Sequence, residues 1–288
     1  MRVFVTGATG LVGSRLVDAL VARGDTVLAA SRDPKKLPAQ EGVERVRWPG
    51  GDLDLSDVDV AVHLAGASIG GGRWTDRYMQ ELRDSRIDTT QALVGALPPS
   101  AALVAASAVG IYGRDPTGPC SEERSPGDDF LARLCIDWEA AARRHPGRNV
   151  QLRFGHVLAA HEGLLARLEP LHRFWVAGAI PPGDQHLPWI HADDLTRVLL
   201  WAIDGDAAGP VNAVAANTTA GGLHKALCTR LGGFGWLKVP RPALRIVLGR
   251  FAAYLTGGQE VVPARLHGAG FEPAFRNLEA ALDDLYAS

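Results

Sequence analysis

Apolar residues in the first half of the chain recur with two different spacings. Short continuous apolar runs, which are typical of strands, cover residues 2–5, 26–30, 43–48, 58–64, 101–107 and 150–154. Apolar residues recur at helical spacing in 14–23, 76–97 and 127–144. Strands that alternate with helices in this way favour an α/β fold with a parallel sheet.

A glycine-rich turn joins the first predicted strand to the first predicted helix. Its sequence, TGATGLVG at 6–13, has glycines where a backbone must bend sharply, let a phosphate approach and let a helix pack on a strand. Unpaired amides at the helix start would face an anion. We predict a doubly wound, Rossmann-type parallel sheet with a dinucleotide bound here, although a purely structural turn would also use glycines. The predicted contacts are Gly7, Thr9, Gly10, Leu11, Val12 and Gly13.

The end of the second predicted strand bears on which dinucleotide binds. A carboxylate there accepts hydrogen bonds from a ribose 2′-hydroxyl, whereas a guanidinium favours a 2′-phosphate. The sequence reads Ser31, Arg32, Asp33. Ser31 and Arg32 predict NADP, and Asp33, one residue later, keeps NAD open as an alternative.

Other candidate cofactor contacts follow later strands. Ligands of an open parallel sheet lie beyond the carboxyl ends of its strands, where Leu64, Ala65 and Gly66 would let the cofactor pass close. A loop that needs small residues would look the same. Arg86, on the predicted helix 76–97, could reach a phosphate or be solvated. Ser107, at the end of strand 101–107, and Arg153, near the end of strand 150–154, complete the predicted cofactor set.

Three residues are candidates for proton transfer or substrate binding. Ser107 ends a predicted strand, where its hydroxyl could bind a substrate oxygen or satisfy local backbone. Tyr112 lies shortly after it. His156 follows strand 150–154 and could exchange protons near neutral pH, or occupy a polar niche.

A glycine-rich loop at 68–74 ends in Arg73 and Trp74, before a helix that Thr75 could cap. These two side chains could contact substrate or close over it, or the tryptophan could simply pack. We add His191, which precedes another predicted helix start, to the candidate substrate residues.

The pattern changes near residue 161. Strand–helix alternation gives way to loops and helix-like segments, with helices predicted at 218–231, 242–255 and 277–286 and a short strand at 210–214. We predict a nucleotide-binding domain at 1–160, joined by that returning strand, and a smaller, mainly helical substrate portion at 161–288.

Composition sets limits on partners and compartment. The 288 residues are 47% hydrophobic and 22% charged, with a net charge of −2. This balance gives no reason to expect nucleic acid or a membrane surface as partner. Three distant cysteines without a Cys-x-x-Cys spacing predict neither a disulfide framework nor a cysteine zinc site. Met1 leads directly into a strand, so we expect a cytoplasmic protein. We also expect a monomer or homodimer that acts on a small molecule.

Together these motifs resemble the short-chain dehydrogenase/reductase (SDR) superfamily in its extended, nucleoside-diphosphate-sugar-epimerase-like form. More narrowly, the chain is similar to the atypical "epimerase family" proteins that carry a C-terminal domain of unknown function. The segments that carry this narrower resemblance are GGRWT at 71–75, DSR at 84–86, SAVG at 107–110, GDDFLA at 127–132, GPVNAV at 209–214 and AGF at 269–271. The resemblance implies an NADP-type cofactor at the glycine turn and a substrate cleft between the sheet and the C-terminal portion.

One feature of the superfamily is missing. Active members use a Tyr-x-x-x-Lys pair as general acid/base, but the corresponding helix offers Phe130 with Leu134, or Leu131 with Cys135. The chain's four lysines lie elsewhere, at 35, 36, 225 and 238. Two hypotheses follow: an NADP-dependent oxidoreductase or epimerase in which Ser107, Tyr112 or His156 replaces the pair, or a non-catalytic NADP-binding sensor or scaffold.

Overall fold

A parallel sheet of seven strands forms the centre of the computed structural model, which describes residues 1–50, 53–234 and 249–287. The strands are β1 (Arg2–Thr6), β2 (Thr26–Ser31), β3 (Val43–Arg47), β4 (Val60–His63), β5 (Ala102–Ala108), β6 (Asn149–Phe154) and β9 (Gly209–Ala213). They lie side by side in the order β3-β2-β1-β4-β5-β6-β9, and each neighbouring pair is parallel. Because the order reverses between β1 and β4, a crevice opens at the carboxyl ends of these two strands.

The described helices lie on both faces of this sheet and beyond it. They are α1 (Leu11–Ala22), α2 (Asp76–Ala96), α3 (Phe130–Ala142), α4 (Leu165–Arg173), α5 (Ala192–Asp204), α6 (Ala220–Leu231), α7 (Ala252–Leu255), α8 (Ala264–Gly268) and α9 (Leu278–Leu285). None of them is long and apolar enough to cross a lipid bilayer.

Alternate residues of the central strands explain the two-sided packing. Val3 and Val5 of β1 share a cluster with Leu16 of α1 and Leu199 of α5, whereas Phe4 packs into the cluster that α2 covers. A strand buried on both faces must be apolar at every position, and this is why β1 reads as a continuous apolar run.

The predicted Rossmann-type sheet is confirmed, and its strands end within two residues of the predicted bounds. The long helix 76–97 is α2, with Thr75 as its N-cap: the Thr75 hydroxyl accepts a hydrogen bond from the Tyr78 amide. The returning strand is β9, which pairs with β6. The division at residue 160 stays a prediction, since α5 and β9 come after that boundary and pack on the main sheet.

Two predictions about the second half of the chain need correction. A second sheet of three strands, β7 (His156–Leu158), β8 (His186–His191) and β10 (Ala216–Thr219), was not predicted. Residues 218 and 219 belong to β10 rather than to a helix, because they pair with 187 and 186 of β8, and α6 starts only after them. The first half of the predicted helix 242–255, residues 242–248, lies outside the described residues, and its last turn is α7.

The hydroxyl of Thr6 connects the two central strands at the crevice. Thr6 Oγ1 accepts hydrogen bonds from the amides of Leu64 (3.1 Å) and Ala65 (3.2 Å), so its own proton is donated to Nδ1 of His63 at 2.8 Å. Nε2 of His63 lies 3.3 Å from the hydroxyl of Thr89 on α2. Burial, and secondarily the charge of Arg86, lower the pKa of His63 to about 4, so this imidazole is neutral at pH 7.

We expect His63 to make stability depend on pH. Between its ordinary pKa of 6.5 and its folded value of about 4, the unfolded chain binds a proton that the folded chain does not. The free energy of unfolding therefore falls as pH falls through this window, by up to about 3 kcal/mol from this group. Urea unfolding from pH 7 to pH 4 should show a smaller loss for His63→Gln than for the unmodified chain.

The exposed His267 supplies the matched control. His267→Gln should keep the steep acid loss of the unmodified chain. An equally steep loss in His63→Gln would show that other groups cause the acid sensitivity.

Candidate functional site

The glycine turn and the start of α1, residues 7–13, form a concave backbone surface that we call the cradle. Two of its positions accept only glycine. Gly7 has φ +69°, and a Cβ there would lie 2.9 Å from the backbone carbon and oxygen of Leu64. A Cβ on Gly13 would lie 2.2 Å from the Gly7 carbonyl oxygen, so α1 could not pack at its present distance from the turn. These contacts bring the backbone of 7–13 against the β4 exit.

The amides at the start of α1 are available to an anion. The Ser14 amide donates to the Gly10 carbonyl at 2.9 Å, but the preceding amides of Leu11, Val12 and Gly13 have no such acceptor. Thr9 and Gly10 beside them are exposed. Unpaired amides at the positive end of a helix dipole fit the pyrophosphate of a dinucleotide.

Arg86 is a buried cation at the other side of the crevice. It is 7% exposed, its Nη1 donates to the Leu82 carbonyl at 3.1 Å, and its guanidinium lies 5.0 Å from the centre of the Trp138 ring. Gly66 gives it room, since a Cβ there would lie 3.2 Å from the guanidinium carbon. Burial lowers the pKa of Arg86, and no carboxylate of the described residues pairs with it. A buried cation without a counterion favours a ligand that brings negative charge or a carbonyl oxygen.

Arg32 and Asp33, at the end of β2, differ in their contacts within the protein. The Asp33 carboxylate caps a short 3-10 turn at Pro34–Lys36 by accepting from the Lys35 amide at 3.2 Å. Arg32 is exposed, and no ion pair to it occurs among the described residues. The carboxylate is engaged locally while the guanidinium can turn to a ligand, and this arrangement suits a 2′-phosphate.

A cavity of about 1070 Å³ begins beyond the carboxyl ends of β5 and β6. Other parts of its wall include the 68–70 loop, the helices α3, α4, α6 and α7, the start of β8 and the loop 257–259. The α3 wall consists of Leu131, Leu134, Cys135 and Trp138, so apolar groups stand where the superfamily's Tyr-x-x-x-Lys pair is expected. Burial raises the pKa of the Cys135 thiol to about 12, which keeps it neutral.

His156 is the member of the predicted catalytic set that reaches this cavity. Its Nδ1 lies 3.0 Å from the Pro188 carbonyl oxygen, an acceptor, so Nδ1 carries the proton. Nε2 has no hydrogen-bond partner among the described residues and presents a lone pair. His156 is exposed to the cavity, and partial loss of solvent there lowers its pKa, an effect that the hydrogen bond to Pro188 partly offsets, so the ring is neutral at pH 7.

Ser107, Tyr112 and Arg153 are instead joined in a buried network that does not line the cavity. Ser107 donates to the Glu139 carboxylate at 2.8 Å, and Arg153 binds both oxygens of the same carboxylate at 2.8 and 3.0 Å. Burial disfavours the guanidinium charge, but the Glu139 carboxylate more than restores it and raises the pKa of Arg153.

Tyr112 completes this network. Its hydroxyl accepts from Arg153 at 3.0 Å and donates to Asn212 on β9 at 2.7 Å. Burial raises the pKa of Tyr112, so the phenol holds its proton. Each polar group of the network has a partner inside the protein, so the network ties β5, α3, β6 and β9 together in this conformation.

The candidate substrate residues lie apart from the cavity. Trp74 is buried in an aromatic cluster with Phe130, Phe251 and Tyr254, so it packs, as the alternative interpretation expected. Together with Arg73 it lines a second cleft of about 910 Å³. Nδ1 of His191 caps α5 by accepting from the Asp193 amide at 3.2 Å.

Sequence reasoning missed two polar contributors. Glu139, which organises the buried network, is one helical turn beyond Cys135 on α3 and lies outside the positions that correspond to the Tyr-x-x-x-Lys pair. Arg167 of α4 lines the cavity, and a Cβ on Gly70 would lie 2.8 Å from its Nη1. Only the fold brings α4 to the 68–70 loop, so no local pattern could have identified it.

Comparison with known proteins places this geometry in context. Residues 3–215 match the model of the NAD dependent epimerase/dehydratase family, and residues 239–285 match a domain of unknown function, DUF1731. An epimerase family protein of Mycobacterium tuberculosis is 37% identical over 283 residues, which cover 94% of this chain and 92% of the relative. The human epimerase family protein SDR39U1 is 35% identical over 301 residues, covering 100% of both chains.

Solved structures agree with this assignment. A crystal structure of human SDR39U1 with NADPH has a TM-score of 0.89 to this chain, with 33% sequence identity and 100% of both chains covered. A nucleoside-diphosphate sugar epimerase from Corynebacterium glutamicum has a TM-score of 0.79 at 29% identity; the match covers 100% of this chain and 59% of that one.

We expect Gly13→Ala to disrupt the cradle. The added methyl group would meet the Gly7 carbonyl oxygen at 2.2 Å, so α1 must move away from β1. Overpacking of this kind costs about 1–3 kcal/mol or more in the free energy of unfolding.

The matched control is Gly95→Ala on α2, where a Cβ meets nothing within 4 Å. Alanine there should stabilise the helix by up to about 1 kcal/mol. Chemical unfolding measures both, and equal effects would contradict the close packing at Gly13.

Proposed function

The chain belongs to the NAD dependent epimerase/dehydratase family, as an atypical SDR with a C-terminal DUF1731 segment, and from this premise we propose that it is an NADP-dependent oxidoreductase. Its substrate would be a small molecule held in the 1070 Å³ cavity. The observation that carries the proposal is the position of this cavity, which starts at Arg86 and Ala108, where the cofactor crevice ends. A cofactor that followed the crevice would present its reactive end to the cavity.

The cofactor half of the proposal rests on the cradle and on the β2 end. The amides of Leu11, Val12 and Gly13 would hold the pyrophosphate, and Arg32 would pair with a 2′-phosphate while Asp33 stays engaged in its turn. The NADPH in the human SDR39U1 structure supports NADP over NAD. When bound, the nicotinamide would supply or accept a hydride.

Two side chains of the cavity would act on the substrate. The guanidinium of Arg86, buried without a counterion, would attract a substrate oxygen that gains negative charge. Nε2 of His156 would take the proton from a substrate hydroxyl during oxidation, or return it to that oxygen during reduction. The low pKa of His156 makes its protonated form a good donor, and solvent replaces the proton after each turnover.

An oxidoreductase suits this cavity better than a sugar epimerase. The α3 wall is apolar, and the hydroxyls of Ser107 and Tyr112 are both committed inside the protein. A sugar ring would need several polar partners to orient each hydroxyl group, whereas a largely apolar carbonyl compound would not.

The same observations favour a second candidate, a non-catalytic sensor or scaffold that binds NADP. Apolar residues at the dyad positions, with the Ser107 and Tyr112 hydroxyls internally paired, are what a protein without a proton-transfer step would show. The two candidates differ in turnover, because only the oxidoreductase would consume NADPH in the presence of a small carbonyl or alkene compound.

We expect Arg32→Glu to weaken NADPH binding by about tenfold or more, because a carboxylate would replace the phosphate-binding guanidinium. NADH binding should change little. Calorimetric titration with both nucleotides measures this difference. The matched control is Arg144→Glu, an exposed arginine after α3 at the opposite edge of the sheet, which should leave both affinities unchanged. Unchanged NADPH affinity in Arg32→Glu would remove the basis for NADP preference.

We expect His156→Gln to lower kcat/KM by about 10²-fold or more while the Kd for NADPH stays constant, because proton transfer is lost but the cradle is intact. The assay follows NADPH consumption with a panel of aldehydes, ketones and activated alkenes. His267→Gln, an exposed histidine on α8, is the control and should retain full activity. NADPH binding without turnover on any compound of the panel would favour the sensor.

A further inference from the structure

Two histidines and a cysteine converge in the part of the cavity wall that α4 and α6 provide. Nε2 of His172 lies 3.2 Å from Nδ1 of His224, and Sγ of Cys228 lies 3.9 Å from that Nδ1 and 3.6 Å from the other ring nitrogen. One ligand atom from each residue lies within 4.8 Å of the others. Both histidines are buried and line the cavity, and Cys228 is half-buried behind them.

The hydrogen bonds of the two imidazoles leave their facing nitrogens without protons. Nδ1 of His172 lies 2.9 Å from the Leu168 carbonyl oxygen, and Nε2 of His224 lies 3.3 Å from the Phe234 carbonyl oxygen. A carbonyl oxygen can only accept, so each of these nitrogens is the protonated one in a neutral ring. The remaining nitrogens then point lone pairs at each other across 3.2 Å. Such an arrangement is repulsive unless a cation lies between them.

The local sequence holds this arrangement in place. His224 and Cys228 are one turn apart on α6, so their side chains lie on one face of the helix, which packs on α4. After α6 the chain turns back over the cluster through Gly232 and Gly233, with φ of +100° and +124°. A Cβ on Gly233 would lie 3.2 Å from the Cys228 sulfur.

We propose that His172 Nε2, His224 Nδ1 and Cys228 Sγ bind a divalent transition-metal ion, Zn²⁺ by preference, with a fourth position open to the cavity. Imidazole nitrogen and thiolate sulfur are the ligands that Zn²⁺ prefers. Bond lengths of about 2.0–2.1 Å to nitrogen and about 2.3 Å to sulfur in a tetrahedral site place the nitrogens about 3.4 Å apart and the sulfur about 3.6 Å from each. The observed separation of 3.2 Å between the two nitrogens is close to this value. The sulfur lies 3.9 Å from Nδ1 of His224, so metal binding would draw the Cys228 side chain toward the two nitrogens.

The carbonyl acceptors give the site its outer support. Histidines that bind metals donate their second nitrogen to a carbonyl or carboxylate, which fixes the ring and the tautomer, and His172 and His224 both do so. Cysteine binds Zn²⁺ as the thiolate, so the Cys228 thiol must give up its proton to become a ligand. Binding would replace that proton with Zn²⁺ and release one H⁺ per site.

The open position gives this metal a ligand class. Because the cavity borders the two histidines, water or a carboxylate or carbonyl oxygen of a molecule in the cavity could occupy the fourth position. The proposal stands independently of hydride transfer, since it would hold equally in a sensor. The alternative occupant is a single proton shared by the two imidazoles, which needs no sulfur.

The test uses the full chain purified without a polyhistidine tag. Zinc analysis after dialysis should find one ion per chain, and Zn²⁺ added to chelator-stripped protein should release about one proton per ion. Co²⁺ in place of Zn²⁺ should show the intense visible bands of tetrahedral coordination and a thiolate charge-transfer band. This spectroscopic readout needs no variant.

Two variants assign the ligands. Cys228→Ser should remove the thiolate band and weaken Zn²⁺ affinity at least about tenfold, and His224→Gln should do the same to affinity. Thermal unfolding and NADPH titration of each variant report whether its fold is intact. The matched control is Asp284→Asn, which alters the chain's other described cluster of possible ligands, His191 with Asp193 and Asp284, and should leave zinc content unchanged.

Two results would overturn the proposal. One is the absence of stoichiometric Zn²⁺ and of a thiolate band with Co²⁺, which would leave a proton shared by the two imidazoles as the occupant of the cluster. The other is zinc content that falls in Asp284→Asn but not in folded Cys228→Ser, which would place the ion at the other cluster.

Discussion

The hydrogen bonds of the Thr6 hydroxyl fix the two strand ends that form the crevice, and the rest of the site depends on this crevice. The hydroxyl accepts from the amides of Leu64 and Ala65 and donates to His63, so the ends of β1 and β4 are held in one register where the strand order reverses. With those ends fixed, Gly7 can lie against the Leu64 carbonyl, and α1 can approach the turn at Gly13. The amides of the helix start then face the crevice.

The buried carboxylate of Glu139 explains why Ser107 and Tyr112 do not reach the cavity. It binds both Ser107 and Arg153, and Arg153 in turn holds the Tyr112 hydroxyl. A buried carboxylate and guanidinium are costly unless each charge is fully paired, so these groups are retained in the scaffold. The α3 wall of the cavity is therefore apolar, and the cations Arg86, Arg114 and Arg167 and the imidazole of His156 lie elsewhere in its lining.

Helices from the second half of the chain form the walls of the cavity that the sheet leaves open. Helices α4, α6 and α7 enclose the space beyond β5 and β6, and they bring Arg167 and the pair His172 and His224 to it. Enclosure lowers the local dielectric, which strengthens each remaining polar interaction with a ligand.

Local patterns in the sequence determined the strands of the main sheet, most helices and the glycine turn, because each depends on neighbours within a few residues. The second sheet escaped prediction, since the short strands β7, β8 and β10 are defined by pairing with one another rather than by their own apolar pattern. Only the tertiary structure showed that Ser107 and Tyr112 turn inward, that His156 faces the cavity, and that His172 meets Cys228. These outcomes depend on side chains distant in sequence, and long-range packing alone decides which groups share a buried space.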